Sequence, residues 1–164
     1  MAGKGQIGKK AEEKIKEWLD RPQDGYCFDR IPDQMTGFYA SQNICDFICF
    51  KSPYMYYLES KATFNSRFDF SMITQYQYDN LLIKSQIYGC YSWVIVLFAT
   101  NKRAFILDIQ TIRSLIESGK KSINIDKIRS GTFPYCEIRT IPNNRKHLLD
   151  YTGDIEEYIP IKRW

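Results

Sequence analysis

The sequence predicts an α/β fold, a mixed β-sheet with helices packed on its faces. Three observations predict it. Ile7, Ala11, Ile15, Trp18 and Leu19 recur at helical spacing; two apolar, aromatic-rich runs, residues 44–50 and 55–61, flank a Lys51-Ser52-Pro53 break; and residues 93–99 are almost continuously apolar. The first pattern is that of an amphipathic helix, the second that of a β-hairpin, and the third that of a central strand covered on both faces.

In chain order, the helix is expected over about residues 6–20 and stops at the Arg21-Pro22-Gln23-Asp24-Gly25 turn. On a helical wheel Glu12 falls beside Leu19 at the edge of the apolar stripe, whereas Glu13 and Glu17 point away from it. A first strand is expected over residues 26–31, broken by Pro32. Residues 33–43 hold no sustained period and, with Gly37 among scattered Ser, Gln and Thr, read as an exposed loop of a length more often functional than idle. After the hairpin, Ser71 or Thr74 can cap a helix that runs through Gln77, Leu81, Leu82 and Lys84 to Tyr88, where Gly89 ends it. Thr100-Asn101-Lys102 turns the apolar run into a partner strand over residues 103–108. A short helix over 111–117, closed by Gly119, leads into the basic step Gly119-Lys120-Lys121-Ser122-Ile123. A helical turn near 126–129, a last strand over 135–141 and a brief helix over 154–159 complete the chain. With no repeat and no linker, residues 1–164 are expected to form one domain.

At this length a core can form without disulfides or metals, and 44% hydrophobic with 26% charged residues is the composition of a soluble globular protein. Lys and Arg total 23 against 19 acids, a net charge of +4 that permits an anionic partner without demanding one. No apolar run is long enough to cross a bilayer, so no membrane partner is expected. The Lys- and Glu-rich first twenty residues do not read as a secretory leader, and an odd five cysteines suit a reducing cytoplasm. Cys45 and Cys49, roughly 13 Å apart if both lie on one strand, cannot share an ion; they read as small buried hydrophobes.

The hairpin carries the chemistry. Side chains on a strand alternate faces, so Glu59 and Lys61 share a face with Met55 and Tyr57, while Asp46 keeps register with Ile44 and Ile48. Charges buried there without partners would cost on the order of several kcal/mol, so they must pair with each other or a metal ion, or open into a cleft. Two carboxylates on adjacent strands offer hard oxygen ligands for Mg²⁺, which binds through one or two carboxylates, waters and a substrate phosphate. Lys61 reaches the same space, where it can hold an attacking water and oppose the charge that grows as a phosphodiester is hydrolysed. Glu12, on a helix edge over this sheet, can add a ligand or bond a metal-bound water. The competing readings are a salt-bridge ladder for the hairpin charges and an ordinary helix-face acid for Glu12.

Asp46, a thirteen-residue step to Glu59, then Lys61, resembles the D…E-x-K signature of the restriction-endonuclease-like nucleases. More narrowly, the chain resembles the RecU-type Holliday junction resolvases of low-GC Gram-positive bacteria and their phages and, more distantly, the archaeal resolvases. Gly8 followed by Glu12 matches the family's N-terminal helix motif, and Arg30-Ile31-Pro32 before an open loop is similar to the archaeal branch. Tyr57-Leu58-Glu59-Ser60-Lys61-Ala62-Thr63 looks like the family's E-A-K-E-T or E-C-K-S-T segment, Gln77 falls where the family has a glutamine opening its next helix, and Gly119-Lys120-Lys121-Ser122-Ile123 resembles its basic G-R-K-S-I segment.

The resemblance, which runs over about residues 8–158, implies a restriction-endonuclease-like core and a homodimer that nicks a four-way DNA junction symmetrically in recombination and repair. It implies Mg²⁺, with Mn²⁺ as a substitute, held by Asp46 and Glu59, and a catalytic set of Glu12, Asp46, Glu59, Lys61 and Gln77. Lys9, Lys10, Lys14, Lys120, Lys121, Arg145 and Lys146 are the candidates for phosphate contacts, which position a substrate rather than specify it. One departure concerns how the junction is engaged: the family carries a longer stalk before the metal-binding aspartate, where this chain has only residues 33–45. Its Gly37-Phe38-Tyr39 tip reads as a shortened equivalent able to stack on exposed bases. Two other readings stay open, a different nuclease on the same scaffold cutting duplex or flap DNA, and a non-catalytic DNA-binding module.

Overall fold

The computed structural model describes residues 4–20, 25–32, 42–131, 133–141 and 150–158. Helix α1, Lys4–Leu19, forms where the apolar spacing predicts it, with Ile7, Ala11, Ile15, Trp18 and Leu19 all buried. Strands β1, Tyr26–Arg30, β2, Phe47–Lys51, and β3, Tyr54–Thr63, pair antiparallel in that order. The small strand β4, Arg67–Asp69, and a 3₁₀ turn, Phe70–Met72, then lead into α2, Gln75–Ser85. Strand β5, Cys90–Phe98, runs parallel to β3, and β6, Arg103–Asp108, returns beside it. Helix α3, Ile109–Glu117, strand β7, Ser122–Asn124, and α4, Ile125–Arg129, come next, followed by β8, Cys136–Glu137, β9, Thr140–Ile141, β10, Asp150–Tyr151, and a 3₁₀ turn, Ile155–Tyr158.

The expected mixed sheet has six strands in the order β1-β2-β3-β5-β6-β8, with α2 lying in the crossover between parallel β3 and β5. Alternation splits β5 between two cores: Trp93, Ile95 and Leu97 pack with α1, whereas Val94, Val96 and Phe98 pack with Leu81 of α2 and Ile112 and Leu115 of α3. Its near-continuous apolar sequence is thus the record of burial on both faces. The same alternation on β3 sends Tyr56 and Leu58 toward α1, and Tyr57 toward α2. Glu59 and Lys61 follow Tyr57.

Three expectations need correction. Helix α2 stops at Ser85 rather than Tyr88, because the chain must turn for the Gly89 carbonyl to accept the Met55 N–H (2.8 Å) where β5 joins β3. The strand expected over 135–141 is two strands: Ile138 still bonds Ala104 of β6, but the Arg139 N–H donates to the Tyr158 hydroxyl (3.2 Å) and the chain leaves β6 to pair β9 with β10. The strand expected from residue 44 begins only at Phe47, for a reason that belongs to the site below. The loop tip expected at Gly37-Phe38-Tyr39, with Arg145 and Lys146, lies outside the described residues. All five cysteines are free, Cys45 and Cys49 buried in opposite cores. No helix among the described residues is long and apolar enough to cross a membrane.

Candidate active site

Asp46 stands at the end of β2, where the sheet ladder breaks. Its carbonyl still accepts from Ile31 N–H (2.8 Å), continuing the pairing with β1, but on the other side its own N–H reaches Leu58 O (3.0 Å) and its Oδ2 accepts the Ser60 N–H (2.7 Å). The carboxylate takes a donor that a regular strand would leave to a backbone carbonyl. That substitution ends the ladder and seats the acid against β3, one residue before the Phe47–Leu58 pair and so beside Glu59. Just before Asp46, Asn43 donates from Nδ2 to Pro32 O (2.7 Å), beyond the end of β1.

Glu59 is 1% exposed. Its Oε1 accepts from Lys61 Nζ (2.6 Å) and from Gln77 Nε2 (2.8 Å), while Oε2 is buried with no hydrogen-bond partner among the described residues. Burial and then the nearby Asp46 charge push the Glu59 carboxyl up to about 7, against the opposing pull of Lys61 and Gln77. Cys45, buried on the same side, feels both acids: burial first, then Glu59 and Asp46, push its thiol up to about 12, so it stays a neutral wall.

Gln77 is locked by its own helix. Thr74, the N-cap of α2, accepts the Gln77 N–H at its hydroxyl (3.2 Å), and Gln77 Oε1 accepts the Thr74 N–H in return (3.2 Å). This capping box fixes the glutamine so that Nε2 faces Glu59 and Oε1 also meets Lys61 Nζ (3.4 Å). Thr74 is the positioning residue that sequence reasoning saw only as a possible cap; the Thr74-Gln75-Tyr76-Gln77 pattern held the signal. Replacing Thr74 by Ala is expected to cost about 1 kcal/mol in chemical denaturation. It should also slow any cleavage by about ten-fold, the scale of losing a supporting shell, with Thr74→Ser restoring both.

Asp46, Glu59, Lys61 and Gln77 therefore come together. Glu12 does not join them: helix α1 packs on the opposite face of the sheet, and Glu12 Oε2 is held by Arg30 Nη2 of β1 (2.8 Å). Lys9, Lys10, Lys120 and Lys121 are exposed. Lys14 is not, being buried between Glu17 and Asp150 (2.7 Å to the latter), and leaves the set of candidate phosphate contacts.

The donor set fits a hard divalent cation. Among the described residues no three His, Cys, Asp or Glu side chains converge, but Mg²⁺ needs only one or two carboxylates when waters and a phosphate complete its shell. The buried Oε2 of Glu59, beside Asp46 and without a hydrogen-bond partner among the described residues, is an oxygen whose desolvation a cation would offset.

A family model described as Recombination protein U, RecU, matches residues 28–157 of the chain. No curated protein matches it. Among solved structures, the 1.6 Å structure of Archaeoglobus fulgidus Hjc, a Holliday junction resolvase from an archaeal hyperthermophile, is similar with a TM-score of 0.36 and 14% identity, over 53% of this chain and 66% of that one. The chain thus spans just under two thirds of the Hjc chain.

Proposed function

The chain belongs to the RecU family of recombination proteins, and from that premise we propose that it is a divalent-metal-dependent endonuclease that resolves four-way (Holliday) DNA junctions by paired symmetric nicks. The observation that carries this reading is the meeting of Asp46, Glu59 and Lys61 on neighbouring segments of one sheet. A site that cuts a phosphodiester needs acidic oxygen ligands and a fixed cation side by side, and a purely structural ion pair would have no use for a buried Oε2 that finds no partner among the described residues.

Asp46 and Glu59 would hold the metal, Mg²⁺ or Mn²⁺, which when bound polarises the phosphoryl oxygen and lowers the pKa of a bound water. Lys61 spends two of its three N–H donors on Glu59 and Gln77, which leaves a third to hold the attacking water or a phosphoryl oxygen. Its fixed charge opposes the negative charge that accumulates in the transition state, in a setting sheltered enough for that attraction to count. Gln77 keeps both Glu59 and Lys61 oriented. Glu12, with Arg30, braces the β1 side of the sheet end and is proposed to act on the site only through that brace. Lys9, Lys10, Lys120 and Lys121, with Arg145 and Lys146, are the proposed phosphate contacts. A second copy of the chain would supply the second nick, matching the two-fold symmetry of the junction, in the cytoplasm of the bacterial or infected cell.

The test uses labelled four-way junction, duplex and single-stranded DNA with Mg²⁺ or EDTA, and light scattering for the oligomeric state. Symmetric nicks in the junction, absent with EDTA, from a protein of dimer mass are expected. Equal cutting of duplex would transfer the assignment to a general nuclease, and no cutting of any substrate would leave a DNA-binding module.

A further inference from the structure

Resting on the nuclease reading above, we propose that a cleft bounded by β4, β7, the Phe70–Met72 turn and the start of α2 is a second contact site, which grips the phosphate backbone of one DNA arm away from the scissile phosphate. The cleft encloses about 820 Å³, far more than a single ion requires and within the range of ligand clefts. Arg67, Lys120 and Lys121 supply cations to its wall; Ser71, Ser122 and Gln75 supply neutral donors. Guanidinium, ammonium, hydroxyl and amide groups are the donors that bind phosphate oxygens. Phe70 and Ile73, both buried, make an apolar base that leaves the polar groups at the mouth.

Exposed lysines are common, so their mounting decides the matter. Arg67 and the lysine step are more than fifty residues apart in sequence, and a separate two-stranded ribbon, Arg67↔Asn124 to Asp69↔Ser122, brings them together. Phe68 and Ile123 at its centre are buried in the second core. Lys120 is fixed by its N–H on Leu115 O (3.0 Å), in a Schellman turn that needs the positive φ of Gly119. Lys121 is fixed by its carbonyl, which accepts the Phe70 N–H (3.0 Å). The backbone of all three cations is held before any ligand arrives, which lowers the entropy that binding must overcome. Asp69 neutralises Arg67 (2.9 Å), but neither Lys120 nor Lys121 has an ion pair among the described residues, so the cleft keeps a surplus of positive charge.

Its position relative to the reacting centre selects DNA over a small anion. Gln75 lines the cleft and Gln77, in the same first turn of α2, bonds Glu59. Residues two apart on a helix point to different sides. The cleft and the carboxylates therefore flank one helix end, where a continuous polyanion can engage both and a free phosphate cannot.

The test measures binding of a labelled four-way junction in EDTA by fluorescence anisotropy, across salt of about 50 to 200 mM, for the wild type, Lys120→Ala with Lys121→Ala, and Lys120→Arg with Lys121→Arg. The alanine pair is expected to bind about ten-fold more weakly and to flatten the slope of log K against log salt by about 2, roughly one unit for each lost phosphate contact. The arginine pair should match the wild type in both affinity and slope. A thermal melt of each variant reports its folding. If the wild type binds and nicks the junction while the alanine pair has the same affinity and slope, the cleft assignment falls and the nuclease reading stands. If the wild type neither binds nor nicks, both fall.

Discussion

An Asp46→Asn variant is expected to lose at least about a thousand-fold in the rate of junction nicking while still binding the junction, as measured by single-turnover cleavage of a labelled four-way junction in Mg²⁺ alongside a binding titration in EDTA. The magnitude follows from removing a charged ligand at the reacting phosphate, where the loss of one neutral donor already costs about 10²–10³ in other enzymes. The fold should survive. The structural duty of Asp46 is to accept the Ser60 N–H through Oδ2, and an asparagine oxygen accepts that bond equally well. The substitution also removes one of the two influences that raise Glu59, so Glu59 should titrate lower in the variant. Cleavage at the wild-type rate would show that Asp46 has only the structural duty.

Glu59→Gln should abolish nicking to a similar degree and, unlike most substitutions of a buried residue, stabilise the metal-free protein at pH 8. Folding carries the Glu59 carboxyl from about 4.5 to about 7. Between those values the folded chain holds a proton that the unfolded chain has released, so stability conferred at low pH is lost as pH rises through the window. A shift of that size corresponds to about 3 kcal/mol, an upper figure because the glutamine forfeits the ion pair to Lys61. Thermal melts in EDTA should place the variant several degrees above wild type at pH 8, with the two converging near pH 4.5. Added Mg²⁺ should raise the wild type and leave the variant where it is, because the proton and the cation compete for the same carboxylate. A variant less stable than wild type at pH 8 would mean that the ion pair outweighs the burial cost.

Much of this was legible in one dimension. Period alone located α1, the β2–β3 hairpin and β5, because burial on one helix face, one sheet face or two sheet faces each leaves its own apolar spacing. The same alternation put Glu59 and Lys61 on one side of β3 before any coordinates, and the chemistry of a carboxylate beside a lysine marked them as a site. The capping pattern from Thr74 to Gln77 was equally present in the sequence, although its consequence, a glutamine held against Glu59, required knowing which strand faced that helix.

What the chain could not show locally are the places where a single hydrogen bond redirects the backbone. Asp46 ends its own strand by taking the Ser60 N–H, and Arg139 leaves β6 for the Tyr158 hydroxyl; neither event alters hydrophobic spacing, so neither leaves a periodic trace. Glu12 lies at the predicted edge of its helix, but whether that edge meets the β3 carboxylates or Arg30 depends on which face of the sheet α1 covers. The Arg67, Lys120 and Lys121 cleft depends on β4 pairing with β7 across a long stretch of chain. Sequence determined the main helices and sheet strands and which acids are out of place, since those follow from neighbours within a few residues; only the tertiary structure decided where strands end, that β4 pairs with β7 and which of those acids meet, because that is set by packing between segments distant in the chain.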